Sequence, residues 1–228
     1  MSKAIPWSYS MLTGYETCPF QHFSVKVAKT TPSKPYVQSS EGIERHKAIE
    51  KYLRFGAPLP DTVPKKLVDA TMASFNPDLL QVEAEYAITA EHKSCGFWAN
   101  NCYARGKLDV VYVDKEDTIG HVVDWKSGKV REDSKQLDMA AVLVMGRYPH
   151  IQEVKTSFVW FKYDQITPGS VRREDIPLVW QPFVKRVEAM QESYINGHWP
   201  KRPSGLCREY CPVTTCEHNG AHRNGNEQ

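Results

Sequence analysis

A chain of 228 residues, 41% hydrophobic and 25% charged, has the length and composition for one sizeable core with peripheral elements. Its formal charge of +2 excludes the wholesale basic character that attracts nucleic acid through net charge alone, so any such contact has to come from local patches. No run approaches the roughly 18 to 20 apolar residues that span a bilayer, and the opening MSKAIPWSYS lacks the apolar stretch of a secretory signal, so a soluble, cytoplasmic protein without membrane partners is expected.

In chain order, Ser8 to Leu12 followed by Tyr15, Cys18, Pro19 and Phe20 reads as a short helix capped by a hydroxyl residue and ended near Pro19, with Cys18 at its terminus. From Ser40 to Phe55, Ile43, Ala48, Ile49, Tyr52 and Leu53 recur at helical spacing, and His46 flanks that apolar face. Pro58, Pro60 and Pro64 punctuate a linker, and a further helix over Lys65 to Phe75 stops at Asn76-Pro77.

Leu80 to Thr89 alternates with period two, placing Glu83 and Glu85 on one strand face. Two more strands, Tyr103 to Val113 and Ile119 to Trp125, flank the polar turn Asp114 to Asp117 and should pair antiparallel. Ser134 to Met145 has helix formers with an apolar stripe, Val154 to Tyr163 is rich in strand formers, and Ile176 to Tyr194 is a long amphipathic helix.

The order helix, three-stranded antiparallel meander, helix, strand predicts an α/β fold, a mixed sheet flanked by helices, with a helical insertion and a cysteine-bearing C-terminal segment. A single domain is expected, with its core over about 40–195 and the segments 1–39 and 196–228 around it.

The chemistry concentrates in Gly106-Lys107-Leu108-Asp109-Val110-Val111 and Val122-Val123-Asp124-Trp125-Lys126-Ser127-Gly128-Lys129. Residues i and i+2 on a strand share a face, so Asp124 and Lys126 project together and a hairpin partner can bring Asp109 alongside. Paired carboxylates offer hard oxygen ligands to Mg²⁺ or Mn²⁺, which polarises a phosphodiester and orients a water. Taken alone, the same three residues also describe an ordinary ion-paired group at strand ends.

The wider pattern, Gly106-x-x-Asp109, then Val123-Asp124-Trp125-Lys126-x-Gly128-Lys129, then Gln136-Leu137, resembles the RecB-like branch of the PD-(D/E)xK nucleases, which includes CRISPR-associated RecB-like exonucleases and many phage-encoded relatives. Upstream, Gly42-x-x-x-His46 is similar to the family's histidine motif and Val82-Glu83 to its first acidic motif. The resemblance implies a restriction-endonuclease-like core in which His46, Asp109, Asp124 and the Trp125 carbonyl bind Mg²⁺ or Mn²⁺. It also implies that Lys126 is catalytic, Gln136 orients the site, and Glu83, with Glu85 as rival, completes the acidic set. The tyrosine common in this branch four residues after the glutamine is Ala140 here.

Of six cysteines, three crowd into Cys207, Cys211 and Cys216, which favours ligation over a secreted disulfide framework. Some RecB-like nucleases bind a [4Fe-4S] cluster through one N-terminal and three C-terminal cysteines, and Cys18 with Cys207, Cys211 and Cys216 resembles that set. The alternative is Zn²⁺ held by Cys207, Cys211, Cys216 and His218; Cys95 and Cys102 read as free thiols.

Lys129, Arg131 and Lys135 are the nearest cations for a DNA backbone, and Trp160, Lys162, Arg172, Arg173, Lys201 and Arg202 are further basic or aromatic residues available to a strand. The resemblance implies a metal-dependent deoxyribonuclease, an exonuclease acting on single-stranded or end-bearing duplex DNA in replication, recombination or repair, with a helicase or recombination partner. For a phage-encoded relative the compartment is the host cytoplasm. The competing readings are a non-catalytic DNA-binding module of a larger complex, and an endonuclease acting on structured DNA or RNA.

Overall fold

The computed structural model describes residues 5–33, 37–130 and 132–225. In chain order they form helices α1 (Tyr9–Thr17) and α2 (Pro19–His22), a π-helical turn (Phe23–Val27), α3 (Val37–Phe55), α4 (Lys65–Met72), strands β1 (Leu80–Ile88), β2 (Ala104–Val113) and β3 (Ile119–Lys126), α5 (Lys135–Arg147), β4 (Glu153–Trp160), β5 (Gln165–Arg172), α6 (Ile176–Asn196) and α7 (Leu206–Glu209). None of these helices is long and apolar enough to cross a membrane. The chain divides into two compact units, Ser40–Phe183 and Met1–Ser39 with Val184–Gln228.

The unit Ser40–Phe183 is built on a five-stranded sheet in the order β1-β2-β3-β4-β5. Its first three strands form the expected antiparallel meander. β3 and β4 are parallel, as a strand-helix-strand crossover through α5 requires. Alternation along β3 assigns the two faces. Val123 and Trp125 pack with Ile49 of α3, Val68 of α4, Val110, Val159 and Phe161. Gly120, on the other parity, lies against Val144 of α5 and Ile151. α5 is buried on nearly every side, from Leu137 through Met139 to Met145, more widely than an apolar stripe along one face of the helix implies.

Two predicted elements end three residues early and one strand is added. α4 ends at Met72, with the next residues forming a turn before a 3₁₀ segment at Pro77–Leu79. The run predicted as one strand to Tyr163 breaks after Trp160 into a 3₁₀ turn that ends in Asp164 with φ 49°. The chain then returns as β5, antiparallel to β4. Pro168 and Gly169 in the middle of β5 read as loop residues, and they are tolerated because β5 is an edge strand.

In the other unit, the Ser8 hydroxyl accepts from Met11 N–H at 3.2 Å, so the expected N-cap is formed. Cys18 follows α1 as its C-cap and precedes α2. Arg186 donates to both carboxylate oxygens of Glu16 at 2.6 and 2.8 Å, and the Tyr15 hydroxyl donates to Ala189 O at 2.9 Å. His22, 5% exposed, shares a 2.8 Å hydrogen bond with the Tyr194 hydroxyl and stacks on Trp199.

Burial, then the charge of Lys26, lowers the His22 pKa to about 4. The folded state therefore keeps this ring neutral, and its contribution to stability is complete above the unfolded value near 6.5 and is lost as pH falls toward 4. We expect the chain to lose up to about 3 kcal/mol from this group across that window, and His22→Gln to flatten the pH dependence in denaturant titrations. Parallel pH profiles for the two proteins would contradict the assignment.

Candidate active site

The site forms where the sheet opens. The β2–β3 ladder runs from Val113 opposite Gly120 to Val110 opposite Val123 and stops there. Beyond the last pair, Trp125 N–H donates at 2.9 Å to Asp109 Oδ2, so a carboxylate takes the place of a backbone acceptor and ties the diverging strands together.

On the other side of Asp109, the β1–β2 ladder pairs Val82 with Val110 and Ala84 with Leu108 but skips Glu83. Glu83 has φ 56°, a left-handed backbone that costs a non-glycine residue about 1 to 3 kcal/mol and tends to occur at functional sites. That local break separates the two rival glutamates. Glu83 falls in with His46 and Asp109, the three offering ligand atoms within 4.8 Å of one another, whereas Glu85 stays in the ladder opposite Lys107 and is exposed.

α3 delivers His46, whose Nδ1 lies 3.3 Å from Asp109 Oδ1. One turn earlier, a Cβ on Gly42 would stand only 3.0 Å from Ser127 Oγ. Glycine at this position lets α3 approach the segment that follows β3.

Asp124, Lys126 and Gln136 form a second group. Lys126 Nζ donates to Gln136 Oε1 at 2.8 Å, Gln136 Nε2 donates to Asp124 Oδ1 at 2.6 Å, and Lys126 Nζ lies 2.6 Å from Asp124 Oδ2. The Phe158 ring sits beneath the ammonium, 5.0 Å from its centroid. Asp124 stands beside the His46–Glu83–Asp109 group, close enough for its charge and that of Asp109 to act on each other, while the next residue's N–H, that of Trp125, donates to Asp109.

The electrostatics describe a site with surplus negative charge. Burial, and then the Asp109 charge, raise the Asp124 pKa above the usual carboxylate range, with Lys126 and His46 opposing them. Burial alone would lower the His46 pKa, but the hydrogen bond and charge of Asp109 and the charge of Asp124 raise it. Asp124 is 9% exposed, and its buried Oδ2 accepts no hydrogen bond of regular geometry despite the ammonium beside it. Such an acceptor, next to carboxylates and an imidazole, suits a divalent cation with hard or borderline ligand preference.

The family model of the PD-(D/E)XK nuclease superfamily matches residues 6–216. The chain belongs to this superfamily. Membership makes it a metal-dependent nuclease, and the five-stranded mixed sheet with flanking helices is the PD-(D/E)XK fold. No curated protein matches the chain significantly. Among solved structures it is similar to one titled "Crystal structure of SSO0001", at 14% identity and a TM-score of 0.44 over 94% of this chain and 85% of that one.

Of the other residues singled out in this PD-(D/E)XK nuclease, Lys129 is exposed and Lys135 pairs with Asp133 at 3.0 Å; Arg131 lies outside the described residues. Trp160 is buried and donates to Thr167 Oγ1 at 2.9 Å. Arg173 donates to the carbonyls of Ile151, Met145 and Tyr148. Both therefore serve the fold and are not free for DNA. Lys201 is held by Glu217 and Arg202 donates to Glu16 O. Ala140, at the position of the branch's tyrosine, is buried in α5.

Sequence reasoning passed over Lys107, whose Nζ lies 2.6 Å from Glu83 Oε2. Its signal was its place on β2, two residues before Asp109 and directly across the ladder from Glu85. Cys18, Cys207, Cys211 and Cys216 line one concavity together with His218. Cys95 and Cys102 belong to the β1–β2 connection.

Proposed function

We propose that this chain is a RecB-like deoxyribonuclease that hydrolyses DNA from strand ends with Mg²⁺ or Mn²⁺, and that it works in replication, recombination or repair. The observation that carries the reading is the adjacency of the two groups, His46–Glu83–Asp109 and Asp124–Lys126–Gln136. His46, Asp109, Asp124 and the Trp125 carbonyl would hold the cation, with Glu83 beside them. The bound cation supplies Lewis-acid polarisation of the phosphoryl group and a more acidic water.

The chain's own residues do the rest. Gln136 accepts from Lys126 Nζ and donates to Asp124 Oδ1, which fixes the ammonium beside the carboxylate. From there Lys126 orients the attacking water and offsets charge building on the phosphate oxygens. Burial and the Asp109 charge hold the Asp124 pKa above the usual carboxylate range, so this carboxylate gains more than an exposed one would from a cation beside it. Lys129, Arg131 and Lys135 hold the DNA backbone as it enters.

We assign Cys18, Cys207, Cys211 and Cys216 to a [4Fe-4S] cluster. The feature that supports it is that the four line one concavity. The cluster's work is structural, joining sequence-distant segments.

The test sets end-labelled linear DNA against covalently closed circular DNA, each with Mg²⁺ and with Mn²⁺. The expected result is stepwise shortening of the linear form while circles persist. Nicked or linearised circles would replace the exonuclease reading with an endonuclease, and DNA binding without cleavage in either metal would replace both with a binding module.

A further inference from the structure

The connection between β1 and β2 carries an exposed aromatic feature that the reaction centre does not use. Trp98 is 77% exposed, although tryptophan left to solvent forgoes a large apolar burial. It is nonetheless held in place. The Arg105 guanidinium lies over its ring at 4.2 Å and over the Phe97 ring at 5.1 Å, and Arg105 Nη1 donates to Phe97 O at 3.0 Å.

The base of this loop is fastened by backbone bonds from Cys95 N–H to Ala87 O and from Tyr103 N–H to Ile88 O, at 3.0 and 2.8 Å. One face of the indole is covered by the cation and the other meets solvent, so the ring is a fixed, open surface.

Its place in the fold gives the occupant. Arg105 and Lys107 are residues i and i+2 of β2, hence on one strand face, and Arg105 lies about 14 Å along the strand from Asp109 at 3.4 Å per residue. Lys107 touches Glu83 of the reaction centre at 2.6 Å, which confirms that this face leads there. Two cations thus stand between the carboxylates and the tryptophan, Arg105 and Lys107, the latter paired with Glu83 and near Glu50 and Glu85. Cations spaced along a path that ends in an aromatic face match a strand with phosphates on one side and unpaired bases on the other.

We propose that Trp98 is a stacking platform for an unpaired base of the DNA strand, with Arg105 and Lys107 guiding the phosphates between it and the reaction centre. The proposal rests on the DNA-nuclease reading for its substrate, but its test does not need hydrolysis.

Anisotropy of a fluorescein-labelled single-stranded oligothymidylate is measured in chelator with the full chain, Trp98→Ala and Trp98→Phe. Stacking on one aromatic ring is worth a roughly tenfold change in Kd or more. Trp98→Ala is therefore expected to bind at least tenfold more weakly, Trp98→Phe within about threefold of the parent, and a blunt duplex to lose much less. Equal affinity of parent and Trp98→Ala for the single strand overturns the platform, as does an equal loss on blunt duplex or no binding by the parent. Absence of cleavage with Mg²⁺ or Mn²⁺ in a parent that does bind overturns the nuclease reading alone.

Discussion

Asp109→Asn removes hydrolysis, lowering the rate by about 10³-fold or more, while leaving the fold intact. The asparagine keeps an oxygen for Trp125 N–H, the bond that closes the gap between β2 and β3, but gives up the charge that a divalent cation needs. Asp109→Ala is a poorer probe, because it also strands that N–H at a cost of about 1 to 3 kcal/mol. Thermal unfolding read with and without Mn²⁺ separates the two effects. The parent should gain about 2 to 3 kcal/mol at a cation concentration one hundredfold above Kd, and Asp109→Asn should gain almost nothing. Glu83→Gln is expected to share the loss of activity, since Glu83 lies with His46 and Asp109, whereas Glu85→Gln stays within a few fold of the parent. Full activity in Asp109→Asn, or a Glu85 variant as damaged as the Glu83 variant, would dismantle the assignment.

The largest effect on stability is expected at the cysteines. Cys216 is buried, and burial first of all pushes the Cys211 thiol up, with Cys207, Cys18 and Cys216 adding to it. Neutral thiols gathered this way gain little from each other, but a metal centre displaces their protons and turns them into anionic ligands. Anaerobically purified protein should contain iron and acid-labile sulfide with visible absorption. Cys211→Ala or Cys216→Ala should lose both, together with several kcal/mol of stability, whereas Cys95→Ala should lose neither. Protein that carries zinc instead moves the site to Cys207, Cys211, Cys216 and His218. Protein with no bound metal and an unchanged melting temperature in the cysteine variants removes the cluster altogether.

The meander, the crossover helix and the order of the charged residues along the chain were legible because each follows from a local period. Leu80 to Ile88 and Ala104 to Val113 alternate, and two acids in otherwise apolar strands advertise themselves. What eluded sequence reasoning breaks those periods. Glu83 cannot be told from Glu85 by a period of two, because the choice depends on one residue taking a left-handed backbone in mid-strand. The Trp125 N–H to Asp109 bond depends on where the β2–β3 ladder ends, at Val110 and Val123, which a strand period does not reveal. β5 was hidden by Pro168 and Gly169, and Arg173 looked available for phosphate because its three carbonyl partners come from α5, the residue after it and the start of β4's approach.

The division of the chain sets an order of events during synthesis. The sheet unit is continuous, Ser40–Phe183, whereas its companion joins Met1–Ser39 to Val184–Gln228. A ribosome therefore delivers every residue of the nuclease sheet before the first of the second segment, and domains generally fold as they emerge. Cys18 leaves the tunnel early and waits through all of that synthesis for Cys207, Cys211 and Cys216. If the proposed cluster forms, it can be assembled only after the sheet unit that carries the reaction centre has been made.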